Sequence, residues 1–159
     1  MIHFLKAGDP APNFSLPDQN GKIISLQNFT GKKLILFFYP QDDTPTCTIE
    51  ACNLRDHYKK LKRMGYHLIG ISPDDKKSHQ KFIEKFLLPF PLLSDTEKKM
   101  ACAYGVYGDK LFFGKVIQGI HRCSFLINEM GIIQYIFFPV KSKSHSEDIL
   151  QVIKSLAIK

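Results

Sequence analysis

Residues 38–52 read FYPQDDTPTCTIEAC. An apolar run, Lys33–Tyr39, stops at Pro40. Two aspartates follow, then Thr44 and Pro45, then Cys47, and Cys52 five residues further on. The run before Pro40 is almost unbroken Leu, Ile and Phe, the composition of a strand buried on both faces. Thr44–Pro45 fits a helix N-cap followed by proline at the first helical position. A buried strand that hands the chain straight to a helix is the building unit of an α/β fold.

The same alternation continues outward from this point. Tyr66–Ser72 is a second apolar run, Phe90–Leu93 a short third, and Ser124–Asn128 and Ile132–Phe138 two more. The last pair is joined by NEMG at 128–131, close enough for an antiparallel hairpin. Helical patterns lie between the runs at about 46–63, 75–87 and 97–104. A terminal helix is expected over about 146–158, with Ile149, Leu150, Ile153, Leu156 and Ala157 on one face. Ser144 and Glu147 have the spacing of its capping box. Upstream, FSLPDQNGKIISL at 14–26 reads as a hairpin turning at Asn20–Gly21. Residues 105–121, rich in Gly and aromatics, show no clear pattern and read as a long functional or mobile loop. The expectation is one α/β domain over 1–159: a central mixed β-sheet flanked by helices, with an N-terminal β-hairpin.

Composition narrows the function. Net charge is +7, carried by 19 Lys and three Arg (Arg55, Arg63, Arg122), and the lysines are scattered in pairs. Nucleic-acid readers cluster their cations and use Arg for bidentate contacts, so a solvated surface is the better reading. The longest stretch without a charged residue is 130–140, too short to span a bilayer. The N-terminus shows no basic start followed by a long apolar run, which points to a cytoplasmic protein. Of the four cysteines (Cys47, Cys52, Cys102, Cys123), none forms a C-x-x-C pair, and a reducing compartment disfavours structural disulfides.

Cys47 falls at the third helical position, among unpaired N–H groups and the positive end of the helix dipole, surroundings that favour a thiolate. Cys47, Ala51, Leu54, Tyr58 and Leu61 form one helical stripe, so the thiol faces inward. Cys52 shares the polar side with Asp56, Lys59 and Arg63. Five residues of helix rise about 7.5 Å, whereas bridged cysteines need Cα atoms within about 7 Å. The two thiols therefore cannot join while the helix is intact. Cys102 reads as a small buried hydrophobe; Cys123, beside a strand and next to Arg122, reads as a buried thiol or a site of side oxidation. His57 and His145 read as solvated, His121 as structural, and Asp42 and Asp43 as shaping the turn.

PQDDTPTC carries the P-x-x-x-T-x-x-C signature of peroxiredoxins at Pro40, Thr44 and Cys47. The longer FYPQDDTPTCTIEACNLRD resembles the Q-type, or bacterioferritin-comigratory, subfamily, and the resemblance extends from AGDPAPNFSLPDQNGK through HRCSFLINEMGII to the terminal helix. It implies a thioredoxin-like fold, Cys47 as the peroxidatic cysteine and Cys52 as the resolving one. Thr44 and the N–H groups near Cys47 would hydrogen-bond the peroxide, and Arg122 would contact thiolate and substrate. Pro40 would shield the thiol, and Glu50 would orient the arginine. Thr46 departs from the usual glycine, and Cys123–Ser124 from the usual Ser-Thr.

The implied activity is reduction of hydrogen peroxide and organic hydroperoxides through a Cys47 sulfenic acid and a Cys47–Cys52 disulfide. Thioredoxin or a similar dithiol is the implied reductant. No cofactor, metal, nucleic acid or membrane is implied, and a monomer is expected, with a dimer as the alternative. Rival readings are a protein thiol–disulfide oxidoreductase, against which the missing C-x-x-C argues, and a thiol-based sensor or holdase. A zinc site of Cys102, His121 and Cys123 is the weakest.

Overall fold

The computed structural model describes residues 5–157. Ile158, expected in the terminal helix, and residues 1–4 of the stretch read for a signal lie outside them. The elements run β1 (Ser15–Pro17), β2 (Ile23–Ser25), a 3-10 turn (Leu26–Phe29), β3 (Lys33–Phe38), α1 (Pro45–Asp56), α2 (Tyr58–Arg63), β4 (Tyr66–Ser72) and α3 (Lys76–Phe86). They continue with β5 (Leu92–Ser94), α4 (Lys99–Ala103), β6 (Tyr107–Phe112), β7 (Lys115–Ile120), β8 (Cys123–Ile127), β9 (Ile133–Phe137) and α5 (His145–Ala157).

Five strands form the central sheet in the order β5-β4-β3-β8-β9. β3 pairs parallel with β4, and β4 with β5; β3 pairs antiparallel with β8, and β8 with β9. The sheet is therefore mixed, with β3 at its centre, as the unbroken apolar run of 33–39 requires. Side chains alternate across β3. Ile35, Phe37 and Tyr39 enter one core with Cys47, Ala51 and Leu54 of α1, Phe82 of α3 and Ile149, Leu150 and Ile153 of α5. Leu34, Leu36 and Phe38 enter the other with Met100, Ala101, Tyr104 and Phe125, against which Leu16, Ile24, Leu26 and Phe29 also pack. Three layers result, the N-terminal hairpin β1–β2 closing the second face.

Three expectations about elements are corrected. Residues 105–121 are not a loop: β6 and β7 pair from Tyr107↔Ile120 to Phe112↔Lys115. Their two-residue turn is Phe113–Gly114, with φ of 50° and 77°, the left-handed geometry that joins twisted strands tightly. Phenylalanine is an uncommon residue for that position, which hid the hairpin. The helix over 46–63 breaks at His57 into α1 and α2. The Asn53 carbonyl, which would continue the helix, is taken by the Ser146 hydroxyl (3.0 Å) and faces the His57 ring Nδ1 (2.9 Å). The expected capping box at α5 also does not form. The Ser144 hydroxyl donates to Asp148 Oδ2 (3.1 Å), and Glu147 accepts instead from Asn53 Nδ2 (3.0 Å).

Candidate active site

β3 delivers the chain to Pro40, and the next four residues make a tight connection to α1. Asp42 is its anchor. One carboxylate oxygen accepts from the Tyr39 hydroxyl (2.6 Å), the other from Ser78 Oγ (2.8 Å) and lies 2.7 Å from His79 Nδ1. The far side of the His79 ring donates from Nε2 to the Leu93 carbonyl (3.0 Å). The Asp42 N–H donates to Asp74 Oδ2 (2.7 Å), which also accepts from Ser72 Oγ. Burial, and then Asp42, push the Tyr39 hydroxyl well above its ordinary pKa, so it stays a donor. Asp43 takes a left-handed φ of 56°, which Asp tolerates better than most residues.

Thr44 occupies the N-cap position in extended conformation, but its side chain does not cap the helix. Its hydroxyl donates back to the Gln41 carbonyl (2.9 Å), leaving oxygen lone pairs free to accept. The Thr48 N–H is the first to reach an acceptor, the Thr44 carbonyl (2.8 Å). Pro45 has no N–H, so those of Thr46 and Cys47 stand at the helix opening. Cys47 is only 2% exposed and packs into the core beside Phe37 and Tyr39.

Above this helix start lies a cavity of about 450 Å³, lined by Pro40, Gln41, Thr44, Pro45, Thr46, Lys110, Phe112, Phe113 and Arg122. Arg122, just before β8, donates from Nη1 to Glu50 Oε1 (3.2 Å). Glu50 has no exposed surface, and its Oε2 has no partner. Burial raises its pKa to about 7 despite the pull of Arg122. The thiol after Arg122, Cys123, is fully buried and pushed up to about 12 by desolvation and then by Glu50, which makes it a poor nucleophile.

The structure thus brings Pro40, Thr44 and Arg122 to one cavity, sets Cys47 directly after its wall and backs Arg122 with Glu50. Cys52 is half-buried on the unbroken helix α1, five residues from Cys47, and all four cysteines are free. Next to Cys52, Asn53 ties α1 to α5. Its amide nitrogen donates to the Lys143 carbonyl and to Glu147, and its amide oxygen accepts from the Ser146 N–H (2.7 Å).

Several residues depart from expectation. Cys102 is exposed, because Met100 and Ala101 take the inward face of α4 and Tyr104, just after it, follows them into the core. His145 is buried and hydrogen-bonded to Ser124 (2.7 Å), with its pKa lowered by burial to about 4. His57 is half-buried against Asn53. His79 and Lys110 carried no signal on their own: each gains meaning from residues over 30 positions away in the chain, or from a hairpin that showed no pattern. Among the described residues, one trio has the spacing for a metal ion, Asp42, Asp74 and His79; the Asp42 carboxylate already accepts from Tyr39 and Ser78 and meets His79, and Asp74 accepts from the Asp42 N–H and Ser72. Cys102, His121 and Cys123 do not form such a group.

A thiol at a helix opening, roofed by a cavity with an arginine in its wall, on a thioredoxin-like sheet, defines the class of thiol peroxidases. The chain belongs to the AhpC/TSA family, whose model matches residues 7–136, and within it to the Bcp-type peroxiredoxins. Peroxiredoxin Bcp of Escherichia coli K12 is 45% identical over 153 residues, 96% of this chain and 98% of its own length. A putative peroxiredoxin bcp of Haemophilus influenzae is 46% identical over 152 residues, 96% and 98% of the two chains. A cysteine-to-serine mutant of Xylella fastidiosa PrxQ superposes with a TM-score of 0.91 at 28% identity, covering 98% of this chain and 99% of its own. The Xanthomonas campestris bacterioferritin comigratory protein, studied for its alkyl peroxide reduction activity, gives 0.85 at 30% identity, covering 91% and 92%. The protein is an enzyme that reduces peroxide with electrons from thiols. Among the described residues, no helix is long and apolar enough to cross a membrane.

Proposed function

We propose that Cys47 is the peroxidatic cysteine and Cys52 the resolving one, in a one-domain, monomeric, cytoplasmic enzyme that thioredoxin or a similar dithiol recycles. The Cys47 thiolate attacks the terminal oxygen of a hydroperoxide. The S–O bond forms as the O–O bond breaks, giving Cys47 sulfenic acid and an oxyanion that becomes water or an alcohol. The N–H groups of Thr46 and Cys47, the Thr44 oxygen and Arg122 hold the peroxide and stabilise the charge that moves onto the leaving oxygen. Pro40 keeps bulk water from the sulfur. Glu50 fixes the Arg122 guanidinium, whose rigid fork offers the remaining donors to the cavity.

Resolution needs the start of α1 to unwind, because Cys47 and Cys52 are held apart by its intact turns. Cys52 then condenses with the sulfenic acid, releasing water and leaving an intramolecular disulfide, which the external dithiol reduces by exchange. The observation that carries this reading is the cavity at the opening of α1, with Thr44 and Arg122 in its wall and Cys47 behind it. Peroxide consumption coupled to thioredoxin tests it. Cys47→Ser is expected to be inactive, and Cys52→Ser to consume one equivalent and then stall. Sustained turnover by Cys47→Ser overturns the assignment.

A further inference from the structure

We propose that Lys110 is a further catalytic residue of the peroxide site, donating a proton to the oxygen that leaves as the O–O bond breaks. This rests on the reading of Cys47 as the attacking thiolate.

Lys110 sits on β6, in the hairpin whose turn rises beside the cavity, and its side chain lines the cavity with Thr44, Thr46 and Arg122. The stem is guided there. On the paired strand β7, a Cβ at Gly119 would stand 2.9 Å from Lys110 Cδ, so the missing side chain leaves the track along which the lysine lies. The ammonium donates to the Ile120 carbonyl (2.8 Å), two residues before Arg122. An ammonium has three N–H donors, so two remain for a molecule in the cavity. Burial, and then Arg122, lower the lysine's pKa, while the nearby Cys47 acts in the opposite sense. The nitrogen is thus close enough to feel both groups.

The chemistry calls for such a donor. When the thiolate takes the terminal oxygen, that oxygen keeps its hydrogen and becomes the sulfenic hydroxyl. The electron pair of the O–O bond departs on the other oxygen as alkoxide or hydroxide, a strong base that must gain a proton. Arg122 stabilises that charge, but its guanidinium is a weaker acid than an ammonium and is the poorer proton donor. A lysine can do so: its N–H proton passes to the leaving oxygen, the alcohol departs, and the neutral amine regains a proton from water. Positioned general acids typically contribute about 10²- to 10⁴-fold.

The test compares two oxidants in single turnover, with Cys47 oxidation followed by quenched flow and mass spectrometry. tert-Butyl hydroperoxide expels an alkoxide that needs the proton; peracetic acid expels acetate, which does not. Lys110→Met is expected to slow the first by about 10²-fold and to leave the second within about threefold of wild type. Lys110→Arg, which keeps the charge but is the weaker acid and carries a planar fork in place of the ammonium, is expected to stay close to Lys110→Met with the alkyl hydroperoxide. Equal slowing with both oxidants, no slowing with either, or full recovery in Lys110→Arg overturns the assignment while wild type still reacts. If wild type reacts with neither oxidant, the peroxidase reading itself falls, and this one with it.

Discussion

Replacing Glu50 by glutamine gives a pH-dependent change in stability whose size and sign follow from its surroundings. Glu50 is fully enclosed, one oxygen has no partner, and its pKa rises from 4.5 to about 7 because desolvation outweighs Arg122. A carboxyl whose folded pKa is raised binds its proton more tightly in the folded state. Its contribution therefore falls as pH climbs through the window from 4.5 to 7, and the full cost is present above 7. The shift, at about 1.4 kcal/mol per unit, amounts to about 3 kcal/mol at pH 8 and under about 1 kcal/mol at pH 5. Glutamine keeps an oxygen for Arg122 and carries no charge at any pH; the cost of burying its amide is independent of pH.

His145 complicates the wild-type profile but not the difference. Its pKa falls to about 4, so its contribution grows as pH rises from about 4 to 6.5, opposite in sign to Glu50. The quantity to read is therefore the stability of Glu50→Gln minus that of wild type, from urea denaturation with all thiols reduced. This difference should grow in favour of glutamine by about 2–3 kcal/mol between pH 5 and pH 8. A difference that stays constant, or that shrinks with rising pH, refutes the reasoning.

Two further outcomes are expected. Asn53→Ala cuts the ties between α1 and α5 and should destabilise the fold by about 1–3 kcal/mol. It should also speed formation of the disulfide from the sulfenic acid, read by quenched-flow mass spectrometry; a slower step would mean that α1 does not loosen there. Asp42→Ala strands the Tyr39 hydroxyl and His79 in the core and frees the half-buried Ser78 hydroxyl, and should cost about 3–5 kcal/mol in urea denaturation. A loss below about 1 kcal/mol would show that the loop is held by something else.

Much of the fold was legible because burial writes a local pattern. Lys33–Tyr39 is apolar on both faces because it is the middle strand, and Thr44–Pro45 announces a helix start whatever surrounds it. The P-x-x-x-T-x-x-C spacing and Arg122 marked out a site for the same reason: they lie on elements whose ends the sequence punctuates. The rest depends on distant partners. The break at His57 comes from Ser146 taking the Asn53 carbonyl, some 90 positions away in the chain. His145 reads as solvated from its neighbours in the chain, but β8 brings Ser124 against it. The β6–β7 hairpin was masked by exposed apolar residues such as Leu111 and Val116, which follow no burial rule. Lys110 was masked with it.

Peptide mapping by mass spectrometry after one equivalent of peroxide tests the chain of chemistry most directly. With the reduced protein as starting material, the account expects a single new cross-link, between the peptides carrying Cys47 and Cys52, formed within one molecule and abolished by Cys52→Ser. A bridge to Cys102 or Cys123, or oxidation that leaves the Cys47 sulfur untouched, would contradict it.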